Sequence, residues 1–252
     1  MAVLALLAGA GGVAAQETPA GTSVFGIVDN SFFVEEAFNQ DPGTFQNIVA
    51  VEAHGQSTTD LAFTQEWPLG SARHQFGYSV PLSQAGGRTG LGDVVLSYRY
   101  QVWTEDAGRP AFAPRVSAIL PSGSEDDGFG AGTAGWQVNL PFSRQRRDLY
   151  FHANAGFTWF PGHDTFTPHV GASAVWNTRP MFNLMIEALA ELEEEAAGLT
   201  LSPGVRGGWN VGEGQVILGG AVSLRAPAAR PPRNGRPSYF RERRTPALCW
   251  AT

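Results

Sequence analysis

From Asn47 to Leu224 the chain is a succession of segments, most of nine to thirteen residues, in which apolar and polar side chains alternate. Asp148–Phe160 is the clearest. Leu149, Phe151, Ala153, Ala155, Phe157 and Trp159 fall on one face, and Tyr150, His152, Asn154, Gly156 and Thr158 on the other. Successive side chains of a strand point to opposite sides, so such a strand has one greasy face and one wet face. Strands of soluble sheets usually run about 5–6 residues. The segments here match the ~9–11 tilted residues that cross a bilayer's hydrocarbon. Their repetition predicts an all-β fold, an antiparallel transmembrane β-barrel.

Eleven strands are legible: Asn47–His54, Thr58–Trp67, Arg73–Leu82, Asp93–Trp103, Ala111–Pro121, Ala134–Phe142, Asp148–Phe160, Phe166–Asn177, Met181–Glu191, Leu199–Asn210 and Gln215–Leu224. Leu96, Tyr98, Phe151, Phe157, Leu184 and Ile186 are expected to face lipid. Aromatic residues gather at strand ends (Trp67, Trp103, Phe142, Trp159, Phe160, Trp176, Trp209), as in the girdles that sit at headgroup level. Tight connections (Arg144–Arg147, Arg179–Pro180, Val211–Gly214) alternate with longer ones (Ser83–Gly92, Ser122–Thr133, Leu192–Gly198). Bacterial barrels of one chain have an even strand count. About twelve strands are therefore expected, with the last due after Leu224. Residues 225–252 offer instead five Pro, seven Arg and one acid, Glu242. Pro cannot donate to a ladder, so a proper closing strand is not expected there. The tail reads as a disordered extension, the product of a shifted reading frame, or a basic arm for an acidic partner.

Charge sharpens this division. The whole chain carries 17 basic residues, all Arg, against 23 acids. Without residues 225–252 the balance is ten Arg against twenty-two acids, about −12. Such a body argues against nucleic acid as a partner. Residues 1–15, MAVLALLAGAGGVAA, are apolar and end in small residues, the pattern of an export signal cleaved before Gln16; a buried hydrophobic segment is the alternative. The expected organisation is a signal peptide at 1–15, a periplasmic or plug segment at 16–46, the barrel at 47–224 and an atypical tail at 225–252. The single cysteine, Cys249, allows no internal disulfide framework.

Several short motifs resemble a known family. Gly90-Leu91-Gly92-Asp93 resembles a GLGD strand opening, and Leu120-Pro121-Ser122-Gly123 an LPTG strand end. Phe151–Phe157, FHANAGF, is similar to an HxNxG(Y/F) strand. Glu187 and Ser202-Pro203-Gly204-Val205-Arg206 resemble its late elements, and Phe33–Gln40, FVEEAFNQ, an EEAYNQ-type segment. These belong to the outer-membrane β-barrel family named after the meta-pathway of phenol degradation, whose members are often called transporters. The likeness runs over roughly residues 32–222. It implies a Gram-negative outer membrane and a channel or transport role for small, hydrophobic or aromatic solutes. Members of that family end in a closing strand, from which residues 225–252 depart.

The inward faces carry the candidate chemistry: Arg99, Arg115, Gln137, Asn139, His152, Asn154, His169, Glu187 and Arg206. Lone charges in a narrow lumen are costly, so opposite charges are expected to pair, Glu187 with Arg206 above all. The set reads either as a selectivity lining or as a structural network that seals the barrel. Hydrolase signals are faint: His152, His163 and His169 accompany Ser and acids, without a Gly-x-Ser-x-Gly or metal-spaced pair. Glu125-Asp126-Asp127 offers hard oxygen ligands for Ca²⁺, or simply a solvated loop, and Glu193-Glu194-Glu195 the same. No catalytic residue, metal or cofactor is expected; the partners expected are outer-membrane lipid and a small solute.

Overall fold

The computed structural model describes residues 2–10, 27, 31–54, 58–193, 196–212 and 214–226. Its strands are β1 (Ala2–Ala10), β2 (Phe45–His54), β3 (Thr58–Pro68), β4 (His74–Ala85), β5 (Arg88–Leu91), β6 (Val95–Tyr100), β7 (Ala111–Phe112), β8 (Arg115–Ile119), β9 (Gly135–Arg146), β10 (Leu149–Phe160), β11 (Thr165–Arg179), β12 (Phe182–Glu193), β13 (Ala196–Val211), β14 (Gly214–Val222) and β15 (Leu224–Ala226). All belong to one antiparallel sheet, and no described helix is long and apolar enough to cross a membrane. The all-β antiparallel expectation is met, and each of the eleven predicted strands is present.

Differences lie at the strand ends and have local causes. The segment Ala111–Pro121 is one rung interrupted by Pro114: β7 and β8 keep a common register on β9, Ala111 opposite Ser143 and Arg115 opposite Asn139. Pro114 has no N–H to give the ladder between them. The connection expected at Ser83–Gly92 is a hairpin, in which Leu82–Ala85 pair with β5. Gly86 and Gly87 form its turn, both at positive φ (59° and 78°), a conformation that residues with a Cβ rarely adopt. Leu192–Gly198 is largely strand rather than loop, since β12 runs to Glu193 and β13 starts at Ala196. Thr104–Pro110 is a compact turn whose length Asp106 explains. Its carboxylate accepts the Gly108 and Arg109 N–H groups and pairs with Arg109 at 2.7 Å. Those contacts, the Gly108 bond foremost, hold its pKa below the ordinary carboxylate value.

The pairing path returns on itself. β10 is bonded to β11 on one edge and β9 on the other, and the chain of neighbours runs from β11 through β14, β1, β2, β3, β4, β6 and β8 back to β9. Twelve strands thus form a ring, with β5, β7 and β15 as side pieces. The twelfth member is not supplied from beyond Leu224. β1, from the run read as an export signal, lies antiparallel between β14 and β2, Leu6 facing both Leu218 and Val49. The physical reason is that ladder bonds join backbone to backbone, so any extended stretch free of Pro can seal two open edges. Past Ser223, β15 carries Arg225 and Ala226 along β13; the remainder of the 225–252 tail, and the Ala15–Gln16 junction, lie outside the described residues.

Burial is inverted relative to a water-soluble sheet. Neighbours on β12 make the point: Ile186 is 54% exposed and Glu187 is 1% exposed. Tyr98, Phe151, Leu184, Val205, Leu218 and Val222 are exposed on the outer face, with Leu96 and Phe157 half-buried there. Aromatic contacts cluster at both ends. Phe45–Trp67, Trp67–Phe76, Trp103–Phe112 and Phe112–Phe142 lie at the short-turn end, and Phe157–Phe166 towards the other.

The seam yields a prediction. A chain beginning at Gln16 lacks β1, and its β2 and β14 lose a ladder partner along one edge each. It is expected to refold in detergent with a lower yield of the compact, heat-modifiable form. Amides of residues 45–53 should exchange faster by mass spectrometry. Unchanged protection there would show that the ring closes without β1.

Candidate functional site

The ring's interior holds part of its own chain. Residues 31–40, between β1 and β2, have no ladder partner, and most are buried. Buried amides need acceptors, and here wall side chains provide them. Glu187 accepts the N–H groups of Phe32, Phe33 and Val34 at 3.0, 2.7 and 3.0 Å. Asn154 clamps Glu35 on both sides, accepting its N–H and donating to its carbonyl, each at 2.7 Å. Ser143 Oγ accepts the Ala37 N–H at 2.7 Å. Gln101 accepts from Asn39 and donates to the Ala37 carbonyl, and Gln75 accepts from Gln40. Arg99 donates to the carbonyls of Glu36 and Phe38.

Register turns scattered positions into continuous rows around the wall. Gln75, Arg99, Arg115, Asn139, Gly156, His169 and Glu191 face one another in turn across seven strands. A second row runs through Ser143, His152, Ser173, Glu187 and Ser202. Tyr150, Val175, Met185, Gly204 and Ala221 make a third, and it is apolar. Phe32 packs on this third row. Its ring reaches so close to Gly204 and Gly219 that a Cβ at either would lie 2.8 Å from it.

All nine residues singled out from the sequence are buried. Arg99, Arg115, Asn139 and His169 share the first row, His152 and Glu187 the second; Gln137, Asn154 and Arg206 lie on neighbouring rows. The expected Glu187–Arg206 partnership is replaced. The register sets Glu187 opposite Ser202 and Arg206 opposite Asn183, four residues along the strand. The Glu187 oxygens go to backbone N–H groups instead, because a threaded segment with bare amides lies nearer than the guanidinium.

The counter-ion comes from elsewhere. Arg99 and Arg115 stand directly opposite each other on β6 and β8, an arrangement of like charges that is unfavourable by itself. Glu35 Oε1 lies 3.3 Å from Arg99 and 3.0 Å from Arg115, while Asn139 donates to Oε2. Glu66 lies 3.9 Å from Arg99. Arg115 also donates to Gln137 at 3.0 Å and Ser97 at 3.4 Å. Sequence reading missed Glu35, Gln75, Ser143 and Ser173. Glu35-Glu36 was visible in the FVEEAFNQ segment, but nothing in the alternation of the strands says what threads between them.

The hydrolase signals acquire structural duties. Ser143 Oγ is 2.7 Å from His152 Nδ1, yet that hydroxyl also receives the Ala37 N–H. His163 Nε2 bonds the Ala131 carbonyl. Asp127 pairs with Arg88 at 2.7 Å, and among the described residues no group of three or more His, Cys, Asp or Glu is arranged to hold a metal. The remaining motifs latch the 122–133 loop. Asp93 accepts the N–H groups of Gly123 and Ala131 at 2.9 and 2.7 Å, and Ser122 Oγ accepts that of Val94. Gly123 and Gly130 meet backbone to backbone, where a Cβ would come within 3 Å.

A one-sheet antiparallel ring with a polar wall clamped on an internal strap is the class these features define. Residues 44–168 match the family model described as "Putative MetA-pathway of phenol degradation", and the chain belongs to that family. The match covers the Asp93 latch and the His152–Asn154 strand; residues 33–40, Glu187 and Gly204–Arg206 lie outside it. No curated protein matches the chain.

Glu187 should be the costliest of these wall residues to truncate. Glu187→Ala leaves the buried N–H groups of Phe32 and Val34 without an acceptor, at about 1–3 kcal/mol each, together with the part-buried one of Phe33, whereas Glu187→Gln keeps one acceptor oxygen. A fall in urea midpoint that is clearly larger for Ala than for Gln is expected for the full chain in detergent. Gly204→Val should displace Phe32 and expose its amide to exchange.

Proposed function

We propose that this chain is an outer-membrane β-barrel of a Gram-negative bacterium that passes small, hydrophobic or aromatic solutes, acting as a channel rather than an enzyme. The observation that carries the reading is the inversion of burial: charged and amide side chains inside, a continuous apolar band outside. In water such a band far exceeds the apolar patches that soluble monomers tolerate; in hydrocarbon it is the favoured outer face. Aromatic residues at both ends fit a headgroup girdle.

The solute class is supported by the apolar row of Tyr150, Val175, Met185, Gly204 and Ala221, a seat already filled by an aromatic ring, Phe32. The family's name, which refers to phenol degradation, agrees with aromatic compounds. Residues 31–40 then act as a plug. It is held by side-chain clamps and no ladder, so it can leave without unzipping a strand. Those same clamps favour a second reading, a sealed surface barrel whose strap is a permanent filling.

Planar-bilayer recording separates the two. Excision of residues 31–40 is expected to raise single-channel conductance over that of the intact chain; silence from both would establish the sealed barrel. The membrane itself is tested at Ala153, which is exposed mid-strand on β10. Ala153→Arg should cost roughly 2–4 kcal/mol of folding stability in lipid vesicles. A neutral result would place that face in water.

A further inference from the structure

We propose that the wall of the ring contains a binding site for a small carboxylate anion, formed by Arg99, Arg115 and Asn139, and that Glu35 occupies it from within the chain. The proposal deepens the channel reading, and the site's role as a station on a solute path rests on that reading; its carboxylate chemistry does not.

Three features point to it. The first is the pairing of Arg99 with Arg115, facing each other across the β6–β8 ladder. Two guanidinium groups so placed call for an anion between them, and Glu35 Oε1 takes that place, 3.3 and 3.0 Å away. Asn139 donates to the other oxygen, so both ends of one carboxylate are recognised. Charge-assisted bonds of this kind are the strongest that such side chains make.

The second is the origin of the anion. Among the described residues Glu35 is the one carboxylate within 4.0 Å of Arg115, and it belongs to the strap rather than to the wall. Every other component of the site is fixed by strand pairing or stands beside it. Withdrawal of Glu35 leaves a carboxylate-sized space lined by donors and a buried positive charge at Arg115. A buried charge deprived of its partner is strongly unfavourable, so a solute carboxylate would be drawn into the seat.

The third is how the occupant is held. Among the described residues, Asn154 alone grips Glu35's backbone, through its N–H and its carbonyl. An amide side chain of the wall can rotate away or accept other partners without breaking a ladder bond. A solute carboxylate can therefore compete for the guanidinium groups while the ring stays intact. Occupation by Glu35 and occupation by solute are mutually exclusive, which makes the strap a tethered competitor of the ligand.

The test uses the full chain in detergent with sodium benzoate as probe and benzamide as its neutral counterpart, binding being followed by calorimetry. Folding is checked by heat-modifiable gel mobility. Glu35→Ala is expected to bind benzoate at least about tenfold more tightly than the unaltered chain, the scale of one charged hydrogen bond. Benzamide should gain nothing, and adding Arg115→Gln should remove the gain. Glu35→Gln, which keeps the shape of the side chain, serves if Glu35→Ala does not fold; it too should bind benzoate more tightly than the parent. Folded variants without a gain would overturn the proposal, and so would an equal gain for benzamide, which would assign recognition to apolar contacts. Conductance of the same variants is read separately. Benzoate binding without any conductance would remove the solute path and leave the site standing; conductance without benzoate binding would remove the site and leave the path.

Discussion

An amide N–H withdrawn from water has to meet an acceptor, and both layers of this protein are arranged around that requirement. In the outer layer the answer is the ladder: each of the twelve ring strands has a neighbour on both edges, the last seam being sealed by Ala2–Ala10. In the inner layer there is no ladder to use. Residues 31–40 lie inside the ring, and side chains meet the amides of Phe32, Phe33 and Val34 (Glu187), Glu35 (Asn154), Ala37 (Ser143), Asn39 (Gln101) and Gln40 (Gln75). The polar character of the wall follows from this. A lumen lined by aliphatic residues would leave the strap's backbone unsatisfied, and the strap could not stay.

Electrostatics adds a second dependency between wall and strap. Arg99 and Arg115 face one another and share Glu35, so the wall's cations and the strap's acid are each incomplete alone. Buried ion pairs of this kind contribute little net stability, because desolvation offsets most of the attraction. Their consequence is positional: one carboxylate, at one depth, in one register. Phe32 provides an apolar counterpart on the N-terminal side of Glu35, seated where Gly204 and Gly219 leave room for a ring. Between these anchors the strap has little freedom to slide.

The short motifs gain a common meaning from these contacts. Asp93, Ser122 and Gly123 tie one long loop to the mouth of the ring. His152 with Ser143, and Asn154, hold the strap; Gly156 leaves space for the His169 ring. Within the family to which the chain belongs, the matched residues 44–168 thus contain both the loop latch and all of the strap clamps named above except Glu187.

Alternation alone was enough to recognise the eleven strands from Asn47 to Leu224 and to say which side of each is wet. The physical reason is local: a side chain's face depends only on whether its position is odd or even. Hence Arg99, His152, Asn154 and Glu187 could be placed inward and Phe151 and Ile186 outward without any knowledge of neighbours. Which residues meet depends instead on the register between strands and on what the ring encloses. Neither is written in the period of a single strand. Glu187 and Arg206, on adjacent strands, looked like partners, yet a four-residue offset and the nearby amides of Phe32, Phe33 and Val34 redirected the carboxylate. Glu35 carried no periodic signal, because it lies in a segment that is not a strand; only the closed ring brings it between Arg99 and Arg115. The seam was likewise a tertiary decision. Backbone pairing is indifferent to side chains, so an apolar run that reads as an export signal could take the edge that the Pro- and Arg-rich end was unfit to fill.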